Sequence, residues 1–188
     1  MNNLLLKGLL GSVGVGVIAY LSLCVALIWG QNRLILKPSF AISTNPNQLG
    51  MSYEDVWLPV TTSQGKIEKV HGWWINPNPH PKKVLLYLHG VGGNVSYNLS
   101  TVQTYYDQGY SVLIIDYRGY GLSKGQFPQE SEIYRDAQVA WDYLTQELQI
   151  EPQNIFIYGH SLGGAVAIDL GVHQPDAACL LYTSPSPR

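Results

Sequence analysis

Gly159-His160-Ser161-Leu162-Gly163 follows the apolar run Asn154 to Tyr158 and leads into a small-residue stretch that begins at Gly163. A G-x-S-x-G pentapeptide between a strand and a helix reads as a sharp turn that lifts a serine hydroxyl to the mouth of a sheet. Glycine is needed on both flanks, because a strand that reverses into a helix leaves no room for side chains beside the serine. The five letters alone carry little information, and the flanking strand and helix give them their meaning. The competing reading is a glycine-rich turn with an idle serine.

Working outward, Val84-Leu85-Leu86-Tyr87-Leu88 is continuous and apolar, as a strand buried on both faces requires. His89-Gly90-Val91-Gly92-Gly93 follows it. The pattern predicts a helix over about Val95 to Gln108 with Gly109 at its end, then a second buried strand, Ser111 to Ile115, running into Asp116. Another helix is predicted from near Ser131, with Ala137, Ala140, Trp141, Leu144 and Leu148 on one apolar stripe and Glu130 and Glu132 complementing its dipole. Upstream, Tyr53 to Val60 and Ile67 to Ile75 flank a turn at Thr61 to Gly65, the pattern of an antiparallel hairpin, before Pro77, Pro79 and Pro81 break it. Strands alternating with helices imply an α/β fold with a doubly wound, mainly parallel sheet.

A serine hydroxyl is a weak nucleophile near neutral pH, and needs a histidine to take its proton and a carboxylate to orient that histidine. The carbonyl it attacks becomes an anion, which preorganised backbone N–H groups must stabilise. One such group belongs to the residue after the serine, Leu162, and the second to the loop after Leu88. The second is assigned to Val91, with Gly92 the alternative, because glycines let backbone amides face a substrate unobstructed. The competing reading is an ordinary glycine turn.

Tyr87-Leu88-His89-Gly90, then Asp116-Tyr117-Arg118-Gly119-Tyr120-Gly121-Leu122-Ser123, then Gly159-His160-Ser161-Leu162-Gly163-Gly164 resemble the successive signatures of the α/β-hydrolase fold, and more narrowly of its serine aminopeptidase-like group. Gln31-Asn32-Arg33-Leu34-Ile35 with Pro38, directly after an apolar span, is similar to the anchored hydrolases that include Bem46-like proteins and membrane-bound acyl-protein thioesterases. The likeness runs from roughly Gly8 to Ala178. It implies a serine hydrolase with Ser161 as nucleophile, Leu162 and Val91 as oxyanion donors, and His89, Gly90, Gly159, His160 and Gly163 supporting the motifs. The implied substrates are acyl esters, thioesters or amides, with peptides or a catalytically silent scaffold as alternatives; no metal or organic cofactor is implied. The triad order is Ser, Asp, His. Here the chain departs from the pattern, because Asp169, His173 and Asp176 fall within or just beyond the helix after the turn, and Asp169 and His173 read as a surface pair. His71, His80, His89 and His160 are not expected to serve as the base.

Cys179 to Arg188 can be encoded by TGT CTC TTA TAC ACA TCT CCG AGC CCA CGA, a transposase sequencing adapter read in frame. These residues are therefore expected to be a non-native tail after residues 53–178, the N-terminal part of the hydrolase domain, with the acid and base missing and the fragment inactive. Strand Asn154 to Tyr158 is then expected to be an exposed apolar edge.

From Gly8 to Gly30 no residue is charged, and at ~1.5 Å per residue such a helix reaches about 34 Å, enough to cross a bilayer. A retained single-pass anchor over residues 1–30 is favoured over a cleaved signal peptide, since the apolar part is long and no A-x-A site follows. The flanking Lys7, Arg33 and Lys37 tilt only slightly towards a cytosolic catalytic domain. Residues 31–52 read as a connector. The chain has 188 residues, 46% hydrophobic and 13% charged, with a net charge of -2, so it is not disordered and offers no basic patch for nucleic acid. Two cysteines, Cys24 and Cys179, make no disulfide framework. Asn94-Val95-Ser96 and Asn98-Leu99-Ser100 match the glycosylation sequon, but a glycan there would block the site, so neither is expected to be used. The sequence leaves the oligomeric state open.

Overall fold

Five consecutive apolar residues, Val84–Leu88, form the central strand, and all five are buried. Successive side chains point to opposite faces of a strand, and both faces are covered. Val84, Leu86 and Leu88 enter one core with Ala137, Trp141, Val166 and Leu170, while Leu85 and Tyr87 enter another with Leu99 and Val102. The computed structural model describes residues 2–62, 64–78 and 81–183, with side chains from Lys7 onward apart from Leu9. His80 and positions 184–188 of the expected tail lie outside the described residues.

In chain order the elements are α1 (Asn2–Ile35), β1 (Lys37–Pro38), β2 (Tyr53–Thr61), β3 (Ile67–Ile75), β4 (Val84–Leu88), β5 (Gly92–Gly93), α2 (Leu99–Asp107), β6 (Ser111–Ile115), α3 (Glu130–Asp142), β7 (Ile155–His160), α4 (Leu162–His173) and β8 (Cys179–Thr183). The main sheet has the order β2-β3-β6-β4-β7-β8. The hairpin β2–β3 is antiparallel and pairs antiparallel with β6; from β6 onward all pairs are parallel. Helices α3 and α4 contribute to the core on one face and α2 to that on the other. This is the doubly wound α/β sheet expected from the alternation of strands and helices.

The chain divides into two units, residues 1–35 and 36–188. In the first, Leu10–Ile35 is long and apolar enough to cross a membrane. Helix α1 continues past Gly30 to Ile35, so Gln31–Ile35 is helical rather than connector. In the second, residues 36–52 are packed. Leu36 and Met51 are buried in the two cores, and Asn45 closes a capping box with Gln48 on the short 3-10 turn Pro46–Leu49. Of the Pro and Asn residues that read as connector chemistry, Asn45 caps this turn, Pro46 and Asn47 lie within it, and Pro38 belongs to β1.

A second expectation is overturned. Strand β7 is not an edge, because β8 pairs with it in parallel, Phe156 opposite Cys179 through His160 opposite Thr183. Cys179-Leu180-Leu181-Tyr182 is itself apolar and β-compatible, so it satisfies the open side of β7 and becomes the exposed edge in its place.

Candidate active site

Ser161 lies between the end of β7 and the first turn of α4 with φ 54° and ψ -116°. Among the described residues only Gln149 and Ser161 hold positive φ without being glycine. A non-glycine residue in this region carries steric strain that the surroundings must impose, and those surroundings are visible. A Cβ on Gly159 would run into the backbone of Gly163 and Gly164, and one on Gly163 into the carbonyls of Leu88 and His89. The turn therefore closes only with glycine at both positions. Gly164 N–H donates to the Ser161 carbonyl at 2.9 Å, and Ser161 N–H donates to the Thr183 carbonyl at 2.8 Å. Leu162 is the first residue of α4, and its N–H is one of the helix donors without a partner inside the helix. His160 is half-buried, its Nδ1 3.1 Å from the Thr183 hydroxyl.

The loop after β4 meets this turn at Gly90, where an added Cβ would lie 3.3 Å from both the His160 carbonyl oxygen and the Ser161 Cβ. The Gly90 carbonyl is 2.8 Å from His89 Nδ1. The Val91 carbonyl accepts from Lys37 N–H at 3.0 Å and from the Tyr120 hydroxyl at 3.0 Å. The structure thus brings Ser161, Gly159, His160, Leu162, Gly163, His89, Gly90 and Val91 to the same end of adjacent strands β4 and β7.

Beneath the loop is a buried polar chain that sequence reasoning missed. Ring contacts with Tyr117 and Tyr120 enclose His89, whose Nε2 is 3.5 Å from Asp116 Oδ1. That oxygen accepts Val95 N–H at 2.8 Å, and Asp116 Oδ2 lies 3.8 Å from His71 Nδ1. His71 Nε2 is in turn 2.8 Å from Asp55, a half-exposed carboxylate that also accepts from Trp73. Burial opposes ionisation of both central groups. For His71 it is outweighed by Asp116 and Asp55, so the imidazole titrates above its usual value. For Asp116 it is outweighed by His71, His89 and the Val95 N–H, so the carboxyl titrates below its usual value. His71 and His89 are both fully buried, and the ring nitrogens they turn to Asp116 lie beyond good hydrogen-bond distance of it, so His71 Nδ1, His89 Nε2 and Asp116 Oδ2 form a close polar cluster without a hydrogen bond among them.

The same motif holds two further ties. Ser123 Oγ donates to the Asp116 carbonyl at 2.6 Å and accepts His71 N–H at 2.7 Å. Arg118 is buried, with Nε donating to Asp136 at 2.7 Å and its backbone N–H donating to the same carboxylate at 2.8 Å. Burial pushes the Asp136 carboxyl up to about 7, against the pull of the Arg118 N–H and guanidinium. The signal was present in Asp116-Tyr117-Arg118-Gly119-Tyr120-Gly121-Leu122-Ser123, but a linear motif does not name the histidines its aspartate will face. Asp169 and His173 form an exposed pair on α4, as expected. Asn94 is fully buried and both Asn94 and Asn98 spend their amides on hydrogen bonds, so neither sequon is open in the folded chain.

Comparison with known proteins adds the following. The profile of the family described as serine aminopeptidase, S33 matches residues 79–187. The alpha/beta hydrolase domain-containing protein WAV2 of Arabidopsis thaliana is 33% identical over 172 residues, covering 88% of this chain and 53% of that protein. Protein bem46 of Schizosaccharomyces pombe is 38% identical over 100 residues, covering 53% of this chain and 33% of that protein. Among solved structures, the esterase Pf2001 of Pyrococcus furiosus superposes with a TM-score of 0.60 at 25% identity, covering 77% of this chain and 56% of the other. The chain thus spans about half the length, or less, of these relatives.

Proposed function

The chain belongs to the serine aminopeptidase, S33 family of α/β-hydrolases, and from that premise we propose a membrane-anchored serine hydrolase that cleaves carboxylic ester, thioester or amide bonds through an acyl-enzyme. Ser161 Oγ attacks the substrate carbonyl and its proton passes to a histidine base. The oxyanion accepts from Leu162 N–H and Val91 N–H, with Gly92 N–H as the alternative second donor. The carbonyl reforms as the leaving group departs with the proton, and water then releases the acyl group by the same route. The base and its carboxylate are proposed to come from the part of the relatives that this chain does not span. With helix α1 as a membrane anchor the hydrolase unit is tethered to a bilayer, which favours acyl groups of lipids or lipidated proteins as substrates.

The observation that carries this reading is the positive φ of Ser161 between two glycines that admit no side chain, opposite Gly90. Strain of this kind persists where the surroundings over-determine it, typically at functional sites. Peptide hydrolysis is the second reading, supported by the family's description. The test is fluorophosphonate labelling of the full-length protein, with peptide mapping. An adduct at Ser161 that disappears in Ser161→Ala supports a hydrolase; a folded protein that takes no label there would instead be a silent scaffold. Retention in the membrane fraction after alkaline carbonate washing tests the anchor.

A further inference from the structure

We infer that Leu36–Ser43 is a strap that positions the oxyanion loop, so that the segment leaving helix α1 sets the catalytic competence of Ser161. The inference rests on the reading of Val91 or Gly92 as the second donor. Gly90-Val91-Gly92-Gly93 has three glycines, one of them at φ 82°, and such a loop has no intrinsic reason to hold one conformation. Oxyanion donors act only when their direction is fixed before the charge develops. What fixes this loop comes largely from the strap.

Strands β1 and β5 pair in parallel, Lys37 opposite Gly92 and Pro38 opposite Gly93. Lys37 N–H donates to the Val91 carbonyl and Ser39 N–H to the Gly93 carbonyl, each at 3.0 Å. The fully buried Asn94, which closes the loop, donates its two amide hydrogens to the carbonyls of Ser39 at 3.1 Å and Ala41 at 2.8 Å. Its oxygen accepts from Ser96 N–H and the Ser96 hydroxyl, so every polar site of the amide group is used. Ser39 O also accepts Gly121 N–H at 3.0 Å, which ties in the loop carrying Tyr120. Buried Leu36 anchors the upstream end of the strap, and Ser43 N–H, bonded to Ser96 Oγ at 3.2 Å, anchors the downstream end.

A trans peptide points its carbonyl and the following N–H in opposite directions within one plane. Holding the Val91 carbonyl by Lys37 N–H and the Tyr120 hydroxyl therefore directs the Gly92 N–H away from the strap. Holding the Gly90 carbonyl by His89 fixes the plane that bears the Val91 N–H. Both planes that meet at Val91 are pinned, whichever N–H meets the oxyanion. The strap bonds use its backbone, so its side chains can vary while its N–H groups cannot be lost. Leu36 alone separates the end of α1 from β1.

The test uses the full-length protein and an ester substrate. Lys37→Pro and Ser39→Pro each delete one N–H; Lys37→Ala and Ser39→Ala keep it. The proline variants are expected to lose about 10- to 100-fold in kcat, less than the ~10²- to 10³-fold cost of removing an oxyanion donor outright because the donor is misdirected and not deleted, with KM within about twofold. Affinity for a boronic acid mimic of the tetrahedral adduct should fall in parallel, and the alanine variants should match wild type. Proline variants that keep wild-type kcat, or lose it only in proportion to their unfolded fraction, overturn the strap. Should they not fold, Ser96→Ala, which removes the acceptor of the Ser43 N–H and so frees the downstream end of the strap, carries the test, and a kcat within twofold of wild type overturns the proposal. Failure of wild-type Ser161 to take a fluorophosphonate would strike at the hydrolase reading instead.

Discussion

Gly90 and Ser161 stand against each other where β4 and β7 end, so closely that a methyl group on Gly90 would sit 3.3 Å from the Ser161 Cβ. That is tighter than ordinary carbon contact, and something must give by a few tenths of an ångström. The side most free to yield is the glycine loop, which carries Val91. Gly90→Ala is therefore expected to leave the protein folded while slowing fluorophosphonate labelling of Ser161 in the full-length protein by about 10-fold or more, since misplaced donors stabilise the oxyanion poorly. Labelling at the wild-type rate would mean that the loop and the serine are not coupled.

The strain at Ser161 is itself measurable. Ser161→Ala keeps a Cβ in the unfavourable region, whereas Ser161→Gly removes the clash at the cost of a more flexible unfolded chain. Strain of about 1–3 kcal/mol exceeds that cost of about 0.5–1 kcal/mol. Urea denaturation should therefore show Ser161→Gly more stable than Ser161→Ala by about 1 kcal/mol. Equal stabilities would show that the turn stores no strain. Both variants should fail to label.

The fold was legible because its strongest elements are periodic: Val84–Leu88 is apolar throughout, and Ala137, Ala140 and Trp141 of α3, with Leu144 in the π-helical turn that continues it, form one stripe that is buried as expected. The elbow was legible because glycine at 159 and 163 has a steric meaning that survives without coordinates. What stayed hidden is long-range. Nothing local in His71 announces that it will face Asp116, nor does Lys37 or Ser39 advertise a backbone bond to a loop more than fifty residues downstream. The segment 31–52 looked loose because Pro and Asn signal turns, and a sequence does not show whether a turn is packed. The edge expected at β7 fails for a related reason: Cys179–Thr183 is apolar and strand-forming, and whether such a segment pairs with β7 is a long-range matter.

Arg118 and Asp136 supply a test of a buried charge pair. Removing one partner strands the other without compensation, a loss of about 3–5 kcal/mol, whereas replacing both with apolar groups of similar size is often neutral. Arg118→Met should therefore be severely destabilising, and adding Asp136→Leu should restore a large part of the loss. A double-mutant cycle by denaturant titration measures the coupling. Additive losses would show that Glu68 and Glu132, each 3.5 Å from Arg118 Nη1, carry the interaction instead.

The His71–Asp116 pair predicts a stability profile with two flanks. The folded chain raises the His71 pKa above the ordinary 6.5, so the stability it contributes is complete below 6.5 and is lost as pH rises through the folded value. Asp116 is lowered from the ordinary 3.8, so its contribution is complete above 3.8 and is lost as pH falls through the folded value. Between the two ordinary values both contributions are present. His71→Gln keeps a polar side chain but cannot carry the proton, which removes the alkaline flank and deprives Asp116 of one of the groups that hold it ionised. The stability difference between wild type and His71→Gln, from denaturant titrations at about pH 5.5 and about pH 8.5, should shrink towards the alkaline end. A difference that stays constant or grows would mean that His71 is buried neutral, with Asp116 held by His89 and the Val95 N–H alone.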